Sequence, residues 1–298
     1  MPETELRWHP LLEEEVTVTP ARQERTYKPP PELCPLCPGP DTEIPEPGYH
    51  IAVFENRFSS YSGDEGRCEV VCFTAQHQGS LGSLPLEAVQ DLVEVWIDRV
   101  RELEKLPAVR YVYVFENRGE EIGVTLHHPH GQIYAYPFVP SVIQREQRAF
   151  ARHRRRTGRC VYCDVLAEEV AGPRVIAADG AFAAFVPRFA RWPYEVHLAP
   201  RRHLPGLPDL DGEERAAFAA TLKRVLGRYD TMWSRPMAYV MAVHQRPVRS
   251  RAKFHLHVEL YPARRSPDRL KYLAGSELGA GAFLVDVKPE QTAAELRG

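Results

Sequence analysis

The sequence lacks any apolar run approaching the roughly 20 residues that a membrane-spanning helix needs, so no membrane partner is expected. Its first thirty residues are charged and proline-rich, with no apolar core of signal-peptide length, which points to the cytoplasm. Charge of one sign is also missing. A net charge of −2 excludes a general basic field, and with it nucleic acid as the expected partner. Cysteine is scarce, at six residues, and four of these fall in two C-x-x-C pairs. In a reducing compartment such pairs bind metal or do redox chemistry rather than staple a fold. What remains is ordinary: 44% hydrophobic, 26% charged, and 298 residues, enough for two domains.

The chain is written twice. Cys34-Pro35-Leu36-Cys37, then His77, then His128-Pro129-His130 occupy the first half. Cys160-Val161-Tyr162-Cys163, then His203, then His255-Leu256-His257 occupy the second. Cys160 follows Cys34 and His203 follows His77 by 126 residues each, and His255 follows His128 by 127. Each half also carries a strand-like run before its lone histidine, at 70–74 and 195–199. A helix follows in each. The first places Val89, Leu92, Val93, Trp96 and Val100 on one stripe. The second places Phe218, Leu222, Val225 and Tyr229 together, and Asp211 with Glu214 reads as its capping box. Further strands follow at 111–115 and 237–243, and a last strand in each half carries H-x-H.

These patterns give an α+β fold of two tandem domains, each an antiparallel sheet backed by a long helix and related by internal duplication. The expected division is 1–145 and 146–298, within a charged, surface-like stretch at 144–159. Residues 1–33 and 262–298 read as irregular extensions, since Pro29, Pro30 and Pro31 oppose regular structure.

Cys34, Cys37, His77 and His128 form a Cys₂His₂ set, and Cys160, Cys163, His203 and His255 form a second. Two thiolates and two imidazoles suit tetrahedral Zn²⁺, and four protein ligands leave no open position for water. Two structural zinc ions per chain are therefore expected. Cys68 and Cys72, four apart in a strand, read as core.

The most informative stretch runs from Phe115-Glu116-Asn117-Arg118-Gly119 through Gly123 and Thr125 to His127-His128-Pro129-His130-Gly131-Gln132. If this end is extended, His128 and His130 face one side, ~7 Å apart. His128 can then hold metal while His130 faces a substrate, its orientation fixed by its neighbour. Neutral imidazole is a nucleophile near pH 7 and can attack the α-phosphorus of a nucleoside diphosphate. Gly131 permits close backbone approach, and the Gln132 amide can donate to a phosphoryl oxygen. The second half has Val258-Glu259 in place of Gly-Gln; a carboxylate there repels phosphate, so that half keeps metal and loses the nucleophilic site.

F-E-N-R-G-x-x-x-G-x-T-x-H-H-P-H-G-Q resembles the active-site signature of the galactose-1-phosphate uridylyltransferase family, in the histidine-triad superfamily. The likeness spans almost the whole chain, from residues 19–25 through the C-P-L-C knuckle to 271–277. It implies that His130 is the nucleophile and that Gln132 stabilises a uridylyl intermediate. Arg22 and Arg25 match arginines near the nucleotide phosphates. Asn56, Phe58, Asn117, Gly123 and Thr125 match nucleotide-contacting positions. Lys271 and Glu277 match sugar-side positions supplied by the partner subunit of a homodimer. The implied partners are a nucleotide sugar and a sugar 1-phosphate. The implied reaction is ping-pong: UDP-glucose loads His130, glucose 1-phosphate leaves, and galactose 1-phosphate collects the uridylyl group. Arg57 departs from the pattern, standing where the family has an acidic residue. Some relatives hold iron in the second half through a glutamate and three histidines. Glu146, His244, His255 and His257 match those positions and compete with the second zinc set for His255. An ADP-sugar or dinucleoside-polyphosphate phosphorylase on the same scaffold stays open, as does a histidine-triad hydrolase. A non-catalytic, zinc-stabilised nucleotide-binding module is the alternative of another class, ahead of a thiol oxidoreductase.

Overall fold

The computed structural model describes residues 4–24 and 28–298. A hairpin of β1 (Glu5–His9) and β2 (Glu14–Val18) comes first. The first half then supplies β3 (Ala52–Glu55), β4 (Arg67–Cys72), α1 (Leu86–Leu103), β5 (Tyr111–Arg118) and β6 (His130–Tyr136). Two helices follow, α2 (Ser141–Thr157) and α3 (Val161–Val170). The second half continues with β7 (Val175–Ala177), β8 (Phe182–Phe185), β9 (Val196–Pro200), α4 (Gly212–Thr231), β10 (Tyr239–His244) and β11 (His257–Pro262). The chain closes with a short hairpin, β12 (Arg264–Ser266) and β13 (Arg269–Leu270), a π-helical turn at Gly275–Gly279, and α5 (Pro289–Arg297).

The duplicated halves join edge to edge. One antiparallel sheet runs β3-β4-β6-β5-β10-β11-β9-β8-β7. The seam is β5 against β10, with Arg118 opposite Tyr239 and Phe115 opposite Ala242. Outward from that seam the order is β5-β6-β4-β3 on one side and β10-β11-β9-β8 on the other, so a pseudo-two-fold axis passes through it.

One sheet face carries Val71, Val112, Val114, Ile133 and Ala135 from the first half, and Val196, Met241, Val258 and Leu260 from the second. The apolar stripe of α1 and that of α4 close over this face in one core, with Trp96 and Phe218 ring centroids 6.3 Å apart. Burying such stripes is what makes amphipathic helices stable. Asp211 and Glu214 form a capping box at the start of α4, each side chain taking the other's backbone N–H. The other face is covered in the second half by α2 and α3, where Phe150, Tyr162 and Leu166 pack on Phe185 and Ala183.

Three expectations change. The charged stretch at 144–159 is surface-exposed as expected, but most of it is helical, within the 17-residue helix Ser141–Thr157, which is anchored by Ile143 and Phe150. Residues 262–298 hold a hairpin and a helix, α5, docked through Thr292, Ala293 and Leu296. Within 1–33 the β1–β2 hairpin is regular, and the Pro29–Pro31 run admits only a single 3₁₀ turn at Pro31–Leu33.

Candidate active site and metal clusters

The strand β6 begins at His130, and His128 lies in the bend before it. The two rings are therefore not side-by-side strand neighbours. They are linked through the backbone: His130 Nδ1 lies 2.8 Å from the His128 carbonyl oxygen. A carbonyl only accepts, so Nδ1 carries the proton and Nε2 has the free lone pair. Burial lowers the His130 pKa, a shift partly opposed by that hydrogen bond, so the ring is neutral at pH 7.

His130 faces two cavities. The larger, about 350 Å³, is polar and includes Gln78, Ser80, Asn117, Arg118 and His127 in its walls. The smaller, about 110 Å³, is bounded by Leu36, Phe54, Phe58 and Val70, with Asn56, Thr125 and Gln132 as polar groups. One cavity suits a charged, hydroxyl-rich group, the other a planar base, and His130 is at their boundary.

Strand alternation places His130, Gln132, Tyr134 and Tyr136 on the face away from α1. Gly131 faces the other way. A Cβ there would lie 3.0 Å from the Phe115 carbonyl and 3.0 Å from the Phe73 ring, so a larger residue would require its neighbours to give by a few tenths of an ångström. Gly119 has φ +96°, and a Cβ on it would come within 2.4 Å of Ala238 at the seam between the halves. Gly123 ends the adjoining 3₁₀ turn in the left-handed region, at φ +85°.

The remaining expected residues are distributed as follows. Asn56 Oδ1 accepts from the Phe58 N–H at 2.9 Å, which turns both into the smaller cavity. Arg22 donates to Ser60 Oγ at 3.1 Å and to the Tyr134 hydroxyl at 2.9 Å. Arg25 lies outside the described residues. Lys271 and Glu277 pair with each other at 2.9 Å and line neither cavity of this chain. Arg57 reaches the rim of the smaller cavity and faces Glu43 at 3.7 Å.

The ligand atoms of Cys34, Cys37, His77 and His128 lie within 4.8 Å of one another, as do those of Cys160, Cys163, His203 and His255. Cys37 Sγ is 3.4 Å from His77 Nδ1 and 3.5 Å from His128 Nδ1. Cys163 Sγ is 3.5 Å from His203 Nδ1 and 3.3 Å from His255 Nδ1. In a tetrahedron with the usual Zn–S and Zn–N lengths the S···N edge is ~3.6 Å, so both donor sets fit such an ion. Burial, with the second thiol beside each, pushes Cys37 up to about 11 and Cys163 up to about 12. A bound divalent cation would reverse that by stabilising the thiolates. His128 Nε2 faces the Thr74 carbonyl at 2.7 Å, leaving Nδ1 toward the cysteines.

A third group was not foreseen in this form. Glu146, His244, His257 and Glu259 converge within 4.8 Å. His244 Nδ1 lies 2.8 Å from Glu146 Oε1, His257 Nε2 lies 3.4 Å from Glu259 Oε1, and the other Glu146 oxygen is buried with no hydrogen-bond partner among the described residues. The expected competition for His255 is thereby corrected: its Nδ1 turns to Cys163, and Glu259 takes the fourth place. Sequence reading also missed Tyr49, whose hydroxyl donates to the Leu36 carbonyl at 2.9 Å and lies 2.8 Å from His128 Nε2. It missed Tyr134 as well, although period-two alternation from His130 marks it.

Residues 54–140 match the family model described as galactose-1-phosphate uridyl transferase, N-terminal domain, and residues 145–298 match its C-terminal domain. A galactose-1-phosphate uridylyltransferase of Thermotoga maritima is 39% identical, covering 98% of this chain and 98% of its own. One of Streptomyces lividans is 42% identical over 99% of this chain and 86% of its own. A solved uridylyltransferase structure superposes with a TM-score of 0.89 at 34% identity, covering 98% of this chain and 97% of that one. An Arabidopsis thaliana ADP-glucose phosphorylase shares the fold, at a TM-score of 0.80 and 22% identity over 99% and 98% of the two chains. Among the described residues no helix is long and apolar enough to cross a membrane. With both family models matched across most of its length, the chain belongs to the galactose-1-phosphate uridyl transferase family.

Proposed function

We propose that the chain moves UMP from UDP-glucose to galactose 1-phosphate through a covalent uridylyl group on His130. The observation that carries this is the placement of His130 at the meeting point of two cavities, with Nδ1 tied to the His128 carbonyl at 2.8 Å and Nε2 without a hydrogen-bond partner among the described residues. Nε2 attacks the α-phosphorus of UDP-glucose, forming a P–N bond. The bond from that phosphorus to the bridging oxygen breaks, and glucose 1-phosphate leaves. A phosphate oxygen of galactose 1-phosphate then attacks the same phosphorus, the P–N bond breaks, and neutral His130 returns. Two in-line displacements retain configuration at phosphorus. Gln132, two residues along the same strand face, donates its amide N–H to the phosphoryl oxygens as charge shifts in the transition state.

Leu36, Phe54, Phe58 and Val70 enclose the base, with Asn56 and Thr125 as polar contacts. Asn117 sits on the phosphate side of His130, and Gly123 shapes the approach to Thr125. Arg22 and Arg25 serve the phosphates. Lys271 and Glu277 serve the sugar of the partner subunit's site in a homodimer, a reading supported by their absence from the walls of this chain's two cavities. The chain divides at 145/146 into a catalytic half and a C-terminal half of common origin. Zinc ions held by Cys34, Cys37, His77 and His128 and by Cys160, Cys163, His203 and His255 are structural; the first fixes the His128 backbone that orients His130. Iron would go to the separate Glu146, His244, His257 and Glu259 group, whose carboxylate-rich donors suit a harder cation.

The test is incubation with UDP-glucose labelled in the α-phosphate. Acid-labile, base-stable label on wild-type protein, and none on a folded His130→Gly variant, is the expected result. Galactose 1-phosphate should discharge the label faster than inorganic phosphate or water. Preferential discharge by phosphate, or preferential loading from ADP-glucose, would replace this reading with a phosphorylase.

A further inference from the structure

We infer that Tyr134 is a positioning residue that fixes which end of the Gln132 amide faces the transferred phosphoryl group. The inference rests on the proposed role of Gln132 and goes one layer behind it.

A primary amide is nearly symmetric in shape but opposite in polarity at its two ends. If Gln132 turned its NH₂ to the phosphoryl oxygens, it would stabilise them. If it turned its carbonyl there, it would repel them. The strand does not decide between these, since the amide rotates about its last torsion. The hydrogen-bond chain behind it does. Tyr134, two residues further along the same face of β6, donates its hydroxyl hydrogen to Gln132 Oε1 at 3.3 Å. Arg22 Nη1 donates to the same tyrosine oxygen at 2.9 Å. A guanidinium has no acceptor, so toward Arg22 the tyrosine oxygen accepts, while toward Gln132 Oε1 its hydroxyl donates. The amide oxygen thus lies on the Tyr134 side, which turns the NH₂ group away from that hydroxyl. Arg22 is itself steadied by Ser60 Oγ at 3.1 Å.

The Tyr134 ring is 8% exposed and meets Phe115 edge-on at 5.0 Å, with Tyr136 at 5.9 Å and Tyr61 at 6.4 Å. Those contacts involve the ring and survive loss of the hydroxyl. Tyr134→Phe therefore separates orientation from packing.

The experiment measures single-turnover labelling of His130 by α-phosphate-labelled UDP-glucose in full-length wild type, Y134F, Q132A and the double variant, with thermal melting of each. Y134F should slow labelling about tenfold, the scale of one lost orienting hydrogen bond. Its half-saturating UDP-glucose concentration and its melting temperature should be nearly unchanged. In the Q132A background the same substitution should change nothing further, because there is no amide left to orient. Labelling by Y134F within twofold of wild type would overturn the inference. So would losses that multiply in the double variant, since they would make the tyrosine act independently of Gln132. Absence of label on wild type would overturn the proposed function and this inference together; labelled wild type with an unaffected Y134F overturns this inference alone.

Discussion

Gly131→Ala tests how tightly the sheet closes beside His130. The added Cβ would stand 3.0 Å from the Phe115 carbonyl oxygen and 3.0 and 3.2 Å from two carbons of the Phe73 ring, whereas ordinary contact begins near 3.4 Å. A relief of ~0.4 Å is needed on two sides at once. The Phe115 carbonyl cannot supply it, because Phe115 pairs with Gln132 on one side and Ala242 on the other. The Phe73 ring is 1% exposed in the main core and has little room. The strain therefore moves β6, and with it the adjacent His130. Overpacking of this kind costs about 1–3 kcal/mol. At about 2–4 °C per kcal/mol, the melting temperature should fall by roughly 2–12 °C. A displacement of a few tenths of an ångström should slow labelling of His130 roughly 3–10-fold, a fraction of the ~100-fold that 1 Å can cost. Thermal melting and single-turnover labelling on the same preparation read both effects. An alanine variant as stable and as fast as wild type would refute the reasoning, because it would mean the strands part there without cost.

On the proposed structural role of a zinc ion in the first cluster, Cys37→Ser should lower the metal content and slow His130 labelling by about 10–100-fold. Cys163→Ser should lower the metal count equally and destabilise the fold while leaving labelling within about threefold; equal kinetic losses in both variants would contradict the division of roles. Burial lifts the Glu116 carboxyl to about 7, against the opposing pull of the Tyr239 hydroxyl at 2.9 Å and of Arg118. The folded state then holds a proton that the unfolded chain has released above about pH 4.5, so stability falls as pH rises from about 4.5 through 7. Glu116→Gln should remove that slope, worth on the order of 3 kcal/mol at pH 8; urea midpoints at pH 5 and pH 8 that shift equally in both proteins would refute it.

The parts of this fold legible in the sequence are those fixed by local physics. The α1 stripe of Val89, Leu92, Val93, Trp96 and Val100 is buried as its spacing implies, and the Asp211–Glu214 box caps α4. Two Cys₂His₂ sets stood out because the same residue types recur at one offset. What was not legible is non-local. Alternation marks 111–115 and 237–243 as strands but not as each other's partners, so the fusion of two half-sheets at β5–β10 had no signal. The buried anchors of α2, Ile143 and Phe150, are one pair seven residues apart among arginines, too sparse a stripe to register as a helix. Glu259 was read for its charge alone. Its part in the third group depends on Glu146, which arrives from α2.

The pseudo-two-fold places His257 and Glu259 of β11 where β6 has His130 and Gln132. The orienting device is kept in both halves, for His257 Nδ1 lies 2.9 Å from the His255 carbonyl just as His130 Nδ1 lies 2.8 Å from that of His128. That contact does not leave a free ring nitrogen in the second half, because His257 Nε2 faces Glu259 Oε1 at 3.4 Å and, against the opposing effect of burial, the carboxylates of Glu146 and Glu259 push the ring's pKa up to about 10. Two things differ. His257 is flanked by the carboxylates of Glu146 and Glu259, which oppose an approaching phosphate. It is also covered: Tyr162 of α3 stacks on its ring at a centroid distance of 4.4 Å, and the ring is 2% exposed. Charge and access can be separated by experiment. Glu259→Gln restores the residue type of the catalytic strand but leaves Tyr162 in place, so labelling with UDP-glucose should remain at one group per chain, on His130. If that single substitution yields a second label on His257, then charge alone silenced the second half, and the packing of α3 over the sheet is not the barrier argued for here.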